Sequence, residues 1–251
     1  MGLSATLYGF IIGIALGVTG GGGSIITVPV LIYLVGESVH AAIGTSLAVV
    51  GGIATQGFVA QRRRVDWRSA LTLGGFGVIG TFPGTALSQH LPGRLLLGLF
   101  AFVMLVAAVA MLRAKSTEIQ RASASFTIVA ATGIALGFLT GFLGVGGGFL
   151  IVPALVLAVG LTMPTAVATS LVVIALNSLV SLVARAQSLA ATDWTIVMWF
   201  LIGGVAGSIV GAAVGRRMNQ QLLKKIFAYF VIAIALFTGA SAADLITVSF
   251  K

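Results

Sequence analysis

The sequence predicts an all-α fold: a polytopic integral membrane protein in which glycine-rich stretches break or shorten some of the helices. The first observation is composition, because 59% of the 251 residues are hydrophobic and only 8% are charged, whereas a soluble domain carries about 25% charged residues. The second is the length of the apolar runs, most of which approach the roughly 20 residues that a spanning helix needs. The third is an internal duplication that divides the chain into two similar halves.

Polar or glycine-rich breaks divide the chain into ten apolar segments. The second and seventh are short, and a helix of about 13 residues rises only roughly 20 Å, so these two are predicted to be half-helices or arms of hairpins. The first segment lacks a basic stretch and a small-residue cleavage site, which favours a membrane segment over a signal peptide. The segments cover residues 3–20, 24–36, 39–61, 68–90, 94–112, 123–143, 146–160, 165–184, 194–215 and 221–243.

A shift of 124 residues aligns the two halves of the chain, and a further shift of three residues extends the match to the fourth and ninth segments. The chain is therefore predicted to be one transmembrane domain, residues 1–251, made of repeat 1 (1–113), a linker (114–122) and repeat 2 (123–251). The matched positions include Pro29 with Pro153, Thr45-Ser46-Leu47 with Thr169-Ser170-Leu171, and Asp66-Trp67 with Asp193-Trp194. Asp is a good helix N-cap and Trp suits the membrane interface, so the Asp-Trp pairs are interpreted as structural.

The distribution of positive charge predicts that the two repeats have opposite orientations in the membrane. If each glycine-rich break reverses the chain, each repeat has about five segments, and eleven of the 14 Lys and Arg residues fall on one side. If each break only kinks a helix, nine fall on one side. Cytoplasmic loops carry the excess of Lys and Arg, so the inverted arrangement is favoured. The eleven are Arg62, Arg63, Arg64, Arg68, Arg113, Lys115, Arg121, Arg216, Arg217, Lys224 and Lys225.

Two glycine-rich stretches are the main candidates for a binding site. TGGGGSIITVPV (19–30) and GVGGGFLIVPA (144–154) each join a long apolar segment to a short one. The short helix that follows begins with unpaired N–H groups and a partial positive charge, which suit an anion. The alternative is that glycines only allow close helix packing. We favour packing for the regularly spaced glycines of the first, fourth, sixth and ninth segments, and the binding site for the two clusters.

Hydroxyl and amide side chains within the segments offer further donors. Thr45-Ser46 and Thr169-Ser170 could donate to the oxygens of an anion, or could bond the carbonyl one turn back along the helix. Asn177 lies deep in the eighth segment, where a neighbouring helix usually satisfies an amide. Its alternative role is to contact the substrate.

Other polar residues point to structure more than to chemistry. Gln56 either bonds a neighbouring helix or contacts the substrate, as for Asn177. Glu37 and His40 lie at a segment junction, and the simpler interpretation is that they are solvated at the membrane interface. The chain has no cysteine, no Walker A motif and no His/Asp/Glu cluster with metal-ligand spacing. We therefore expect no cofactor, no metal and no enzymatic activity. The basic residues are explained by cytoplasmic loops, so no nucleic-acid partner is expected.

Taken together, these motifs resemble the TauE/SafE family of sulfite exporters and related permeases. The likeness rests on GGGGSIITVPVL, on AAIGTSLAVV, on GFLGVGGGFLIVPALVLAVGLTMPTAVATSL and on Asp-Trp before a glycine-rich segment, and it covers nearly the whole chain. The resemblance implies export or uptake of small sulfur-containing anions, such as sulfite, sulfonates or sulfoacetate, by a secondary transporter. One departure is Ser24, which stands where repeat 2 has Gly148, so the two half-sites are predicted to differ.

These observations lead to one hypothesis and two alternatives. The hypothesis is a multi-pass secondary transporter for a small anion in a bacterial inner membrane. Its expected partners are the lipid bilayer and a coupling proton or sodium ion, and the chain could assemble as a homo-oligomer. The alternatives are a passive anion channel and an intramembrane enzyme acting on lipid, for which no reactive constellation is visible. The expected substrate-binding residues are Gly22, Gly23, Ser24, Thr45, Ser46, Gly146, Gly147, Gly148, Thr169, Ser170 and Asn177.

Overall fold

The computed structural model describes residues 2–113, 125–143, 148–184, 193–215 and 217–242, and within these ranges the chain is helical apart from short turns. The prediction of an all-α membrane protein is confirmed, because eight of the described helices are long and apolar enough to span a bilayer. The bounds differ from the predicted segments by at most three residues, except that α2 ends six residues early, at Val30, where a π-helical turn to Val35 continues it. The ten helices are α1 (Gly2–Thr19), α2 (Gly22–Val30), α3 (Val39–Gln61), α4 (Trp67–Ser88), α5 (Gly93–Arg113), α6 (Phe126–Leu143), α7 (Gly148–Leu157), α8 (Met163–Ala184), α9 (Trp194–Gly215) and α10 (Gln220–Ala242).

The two short helices are α2 and α7, as predicted. They have 9 and 10 residues, and α2 continues only through one π-helical turn, Leu31–Val35. At 1.5 Å per residue neither can cross a hydrocarbon core of about 30 Å. Each contains a proline and is followed by a glycine with positive φ, Gly36 at +84° and Gly160 at +81°. Because glycine adopts this left-handed conformation without strain, both helices end at corresponding places in the two repeats.

The chain turns back on itself between α1 and α2. Gly20 has a φ of +72°, and its N–H donates to the Leu16 carbonyl at 2.7 Å, which closes the end of α1. A Cβ atom at Gly23 would lie 2.7 Å from the carbonyl oxygen of Ile12. Eleven residues of continuous helix would separate these two residues by about 16 Å. The glycine-rich break therefore reverses the chain and does not merely kink it.

Rows of glycine allow two pairs of helices to pack backbone against backbone. A Cβ at Gly9 would meet the backbone of Phe200, and one at Gly17 would meet that of Ser208, so α1 and α9 run parallel. In the same way α4 packs along α6, with Gly80 against Ile134. No side chain separates these backbones, which is how glycine brings membrane helices together. The packing interpretation of the spaced glycines is confirmed at these positions.

Helices α3 and α8 form the centre of the molecule and run antiparallel. A Cβ at Gly51 would contact Ser178, and one at Gly57 would contact Leu171, so residue numbers rise along one helix as they fall along the other. These two helices correspond to each other in the duplicated sequence. The other contacts also come in corresponding sets, with α1–α9 matched by α4–α6, α3–α9 by α4–α8, and α5 packed on its own counterpart α10.

Candidate functional site

The starts of the two short helices meet inside the molecule. A Cβ at Gly148, the first residue of α7, would lie 2.9 Å from Ser24 Oγ and 3.2 Å from Gly21 Cα. Ser24 and Gly148 occupy the same position in the two repeats, so their contact lies where the repeats are related. Two helix starts, each with a partial positive charge, therefore lie side by side. Gly146 and Gly147 lie outside the described residues.

Several polar groups at the start of α2 are bonded to their own chain. The Gly22 N–H donates to Thr19 Oγ1 at 2.7 Å, and the Ser24 N–H donates to the Gly21 carbonyl at 3.3 Å. The Ser24 hydroxyl donates to the same carbonyl at 2.7 Å. The free donors predicted for the start of α2 are thus partly used. An anion that binds Ser24 would have to draw its hydroxyl away from Gly21.

Gly22 and Gly23 are also needed for packing. A Cβ at Gly22 would lie 3.4 Å from the ring of Phe230 on α10, and one at Gly23 would lie 2.7 Å from the side chain of Leu16 on α1. Both glycines are buried. The start of α2 is consequently packed closely against α1 and α10.

Two of the predicted hydroxyls, both in α8, form hydrogen bonds with backbone groups elsewhere in the protein. Ser170 Oγ lies 3.0 Å from the Gly20 carbonyl and 2.8 Å from the Val167 carbonyl, and it donates to them. Thr169 Oγ1 accepts the backbone N–H of Asp66 at 3.0 Å, next to the start of α4. The alternative in which the hydroxyl bonds the carbonyl one turn back describes Ser170, through Val167, whereas Thr169 accepts an N–H from another part of the chain. Ser170 holds the reversal between α1 and α2, although it comes from the other repeat.

The corresponding hydroxyls of α3 behave differently. Thr45 Oγ1 donates to a carboxylate oxygen of Glu37 at 3.2 Å, whereas Ser46 Oγ is buried and has no partner in the described part of the chain. Gly57 faces Leu171, so Ser46, eleven residues earlier on the antiparallel helix, lies about 16 Å along the axis from the level of Ser170. One small anion cannot contact both serines.

Asn177 is the most informative polar residue of the membrane interior. It is fully buried, and neither Oδ1 nor Nδ2 has a partner among the described residues. Its amide lies against Gly77 of α4, where a Cβ would be 3.1 Å from Oδ1. The equivalent residue of repeat 1 is Ile53, which packs against Gly204 of α9 in the same way. Packing alone therefore does not require an amide, and an unpaired one is costly in a membrane.

Gln56 is explained by helix packing. Its Oε1 accepts the hydroxyl of Ser208 at 2.6 Å, which links α3 to α9. This is the expected behaviour of an amide in a membrane helix. The Asp193 carboxylate accepts the N–H of Thr195 at 2.8 Å and so caps α9, which confirms the structural interpretation of that Asp-Trp pair.

Glu37 lies between α2 and α3, at the segment junction. Its Oε1 accepts the Thr45 hydroxyl, and its Oε2 is buried without a partner in the described ranges. Burial raises the pKa of this carboxyl above its usual value of 4.5, the hydrogen bond from Thr45 lowers it, and the negative charge of Asp193 raises it further. The net direction is upward, so the folded protein holds this proton more tightly than the unfolded chain does.

A pH-dependent stability is expected from Glu37. Because its folded pKa is raised, the stabilising contribution is complete below about pH 4.5 and is lost as pH rises through the folded pKa. Glu37→Gln removes this loss, so thermal melting of the purified variant should depend less on pH than that of the wild type above pH 4.5. Glu118→Gln, in the predicted linker, is the matched control. Melting curves of Glu37→Gln and wild type that shift in parallel with pH would contradict the assignment.

The sequence matches a known protein family over most of its length. A family model described as "Sulfite exporter TauE/SafE" matches residues 5–238. The chain belongs to the TauE/SafE family. The resemblance inferred from the glycine and Thr-Ser motifs is thereby confirmed.

Curated relatives of this TauE/SafE protein are named as transporters, and their names state no substrate. The chain is 36% identical to a probable membrane transporter protein of Xylella fastidiosa (strain 9a5c), over 91% of both chains. It is 29% identical to the probable membrane transporter protein YunE of Bacillus subtilis (strain 168), over 93% of both chains. No solved structure matches the chain. The protein is thus a multi-pass membrane transporter of the TauE/SafE family.

Three polar residues near Asn177 were missed by sequence reasoning. Thr85, Thr140 and Ser181 are buried, and their hydroxyls have no hydrogen-bond partner among the described residues. A signal for them was available, because each stands where the other repeat has an apolar residue. The pairs are Thr85 with Ala212, Thr140 with Leu16, Ser181 with Gly57 and, for the residue already identified, Asn177 with Ile53.

Proposed function

We propose that this TauE/SafE protein is a secondary transporter that moves a small sulfur-containing anion, such as sulfite or a sulfonate, across a bacterial inner membrane. The observation that carries the proposal is the meeting of the starts of α2 and α7 at Ser24 and Gly148, beside helix α8 with the unpaired amide of Asn177. Helix starts and amide N–H groups are donors suited to an oxyanion.

The anion is held without a formal positive charge. In the described part of the chain, Lys and Arg occur only in the turns between helices and within the first two or the last turns of a helix. The donors must therefore be backbone N–H groups, hydroxyls and the Asn177 amide. A site of this kind binds an anion firmly enough to select it and weakly enough to release it, because no buried ion pair has to be broken. This property suits transport more than storage.

The eleven expected residues take different roles in this proposal. The binding group consists of Asn177 with the helix starts, and three of the remaining hydroxyls support the elements around it, since Ser170 holds the α1–α2 reversal and Thr169 holds the start of α4. The supporting hydroxyls are Thr45, Thr169 and Ser170, whereas the Ser46 hydroxyl has no partner among the described residues and receives no role here. The helix-start residues are Gly22, Gly23, Ser24, Gly146, Gly147 and Gly148.

Opposite orientation of the two repeats is part of the proposal. It is supported by the antiparallel packing of the corresponding helices α3 and α8. It is also supported by one small cavity that Arg64, Gly215 and Leu223 line together. Arg64 lies between α3 and α4, and the other two flank the turn between α9 and α10, so two basic regions of different repeats lie on the same side. Inverted repeats place a substrate near the midplane, between the halves, and allow one half to move against the other.

Labelling of introduced cysteines tests this orientation. The chain has no cysteine, so Arg63→Cys and Arg217→Cys each provide a single reactive thiol in a charged loop. Both are expected to react with a membrane-impermeant maleimide only from the cytoplasmic side, because cytoplasmic loops carry the positive charge. Arg94→Cys is the control for the opposite face. Labelling of Arg63→Cys and Arg217→Cys from different faces would contradict the inverted arrangement.

Flux into sealed proteoliposomes tests the function itself. The assay uses purified protein, radiolabelled sulfite or methanesulfonate, and an imposed proton or sodium gradient. A secondary transporter accumulates the anion above its external concentration while the gradient lasts. Flux that only equilibrates the anion under both gradients would indicate a passive channel. Absence of any protein-dependent flux of these anions would contradict the proposed substrate class.

A further inference from the structure

We infer that the anion site of this transporter is one-sided, built from Thr85, Thr140, Asn177 and Ser181 beside the start of α7, with no equivalent beside the start of α2. The inference rests on the proposed function and names side chains that bind the anion. It also identifies the chemistry of the ligand, which is a small oxyanion held by hydroxyl and amide donors.

The first observation is that these four side chains are buried and unpaired. Their exposed fractions are 2% for Thr85, 1% for Thr140, and 0% for Asn177 and Ser181. None of their terminal polar atoms has a hydrogen-bond partner in the described part of the chain. A buried polar group that lacks a partner costs about 1–3 kcal/mol. Four such groups in one region require an explanation, and a polar ligand supplies it.

The second observation is that the four belong to three helices in mutual contact, α4, α6 and α8. Asn177 faces Gly77 of α4, and Ser181 lies one turn further along α8. Thr85 lies two turns beyond Gly77 on the same face of α4, and its hydroxyl is 2.8 Å from the Cβ position of Gly141 on α6. Thr140 directly precedes Gly141. The four side chains therefore lie toward the same ends of these helices.

The third observation is the comparison between repeats. At the equivalent positions the other repeat has Ala212, Leu16, Ile53 and Gly57, none of which has a polar side chain. The glycine contacts between helices are the same in both repeats, as in Gly77 against Asn177 and Gly204 against Ile53. The fold is thus satisfied by apolar residues at these positions, so the polar set of one repeat has another role.

The fourth observation places the set beside the start of α7. In repeat 1, Leu16 contacts Gly23 at the start of α2, so its counterpart Thr140 is expected beside the start of α7. The side chain of Ile174, one turn before Asn177, reaches within 2.7 Å of the Cβ position of Gly148. Asn177 therefore lies one turn of α8 from a side chain that contacts the start of α7. The proposed site combines the partial positive charge of this helix start with hydroxyl and amide donors, which together suit an oxyanion.

Binding measurements on single variants test the one-sided site. Thr85→Val, Thr140→Val, Asn177→Leu and Ser181→Ala each remove donors and keep much of the volume. Each should weaken binding of methanesulfonate to the detergent-purified protein by about tenfold or more, since a hydrogen bond to a charged group contributes about 1.5–3 kcal/mol. Thr81→Val is the matched control, because Thr81 is buried on the same face of α4 and its hydroxyl is bonded to the Gly77 carbonyl at 2.8 Å.

Two further variants separate binding from folding. Thr140→Ser and Thr85→Ser keep the hydroxyl and should bind within about twofold of the wild type, even if a valine variant is too unstable to purify. A wild-type protein that binds neither methanesulfonate nor sulfite would contradict the proposed function. A wild type that binds, with all four donor-removing variants binding equally well, would overturn the one-sided site and leave the proposed function standing.

Discussion

Gly137→Leu is expected to prevent the accumulation of folded protein. A Cβ at this position would collide with the carbonyl oxygen of Gly77 on the neighbouring helix α4. The obstacle is backbone, which cannot turn aside as a side chain can, so the two helices must separate. Overpacking costs about 1–3 kcal/mol and occasionally more, and a clash with backbone belongs at the upper end, whereas a protein has only about 5–15 kcal/mol of stability to lose. The Asn177 amide, which rests on Gly77, would also be displaced.

Size-exclusion chromatography of a fluorescent fusion measures this effect. The peak of folded Gly137→Leu protein should fall to a small fraction of the wild-type peak. Gly98→Leu is the matched control, because Gly98 lies within α5 and a Cβ there has no neighbour within 4 Å. A Gly137→Leu protein that is monodisperse and melts with the wild type would show that α4 and α6 do not pack through their glycines.

Gly148→Leu is expected to abolish transport in a protein that still folds. The new side chain would occupy the space between Ser24 Oγ and the end of Ile174, which lie 2.9 Å and 2.7 Å from the Cβ position. These two neighbours are side-chain atoms that can shift, and the backbone neighbour, Gly21 Cα, lies further away at 3.2 Å. The added side chain therefore fills the space where the two helix starts meet. Each hydrogen bond that the anion would lose at the filled space should reduce apparent affinity by about tenfold or more.

Uptake of radiolabelled methanesulfonate into proteoliposomes measures the effect of Gly148→Leu. Gly75→Leu, in the middle of α4 with no atom within 4 Å of its Cβ position, is the control and should transport normally. Gly148→Ala adds one atom at the same place and should give an intermediate rate. Normal uptake by folded Gly148→Leu would remove the start of α7 from the site.

Local features of the chain were predictable from sequence. The lengths of the apolar runs and the positions of Gly and Pro predicted both short helices, α2 and α7, because these signals act within a few residues. Gly36 and Gly160 end these helices in the left-handed conformation that glycine favours. The rows of glycine at spacing four also predicted close packing correctly, since that spacing aligns them on one helix face.

Long-range partners could not be predicted in the same way. The bond from Ser170 to the Gly20 carbonyl joins residues 150 positions apart, and no local pattern specifies it. The separation of Ser46 from Ser170 has a simple physical reason. Residues at the same position of two antiparallel helices lie at opposite depths, so an identical Thr-Ser motif in each repeat marks two places and not one.

The side chains of the proposed site were predicted only in part. Asn177 was identified because an amide within an apolar segment is conspicuous, whereas Thr85, Thr140 and Ser181 are common residues whose hydroxyls a helix usually satisfies internally. Their lack of partners is a property of the folded structure. A comparison of the repeats position by position would have detected all four, since polar and apolar residues at equivalent sites cannot serve the same packing role.

Anomalous diffraction from crystals grown with selenite, the selenium analogue of sulfite, would locate the anion directly. The expected result is one peak near the midplane, between the starts of α2 and α7 at Ser24 and Gly148, with Asn177 Nδ2 within about 3 Å of an anion oxygen. The proposed site would be contradicted if the only selenium peaks lay beside Arg or Lys side chains of the surface loops and none lay where the two helix starts meet.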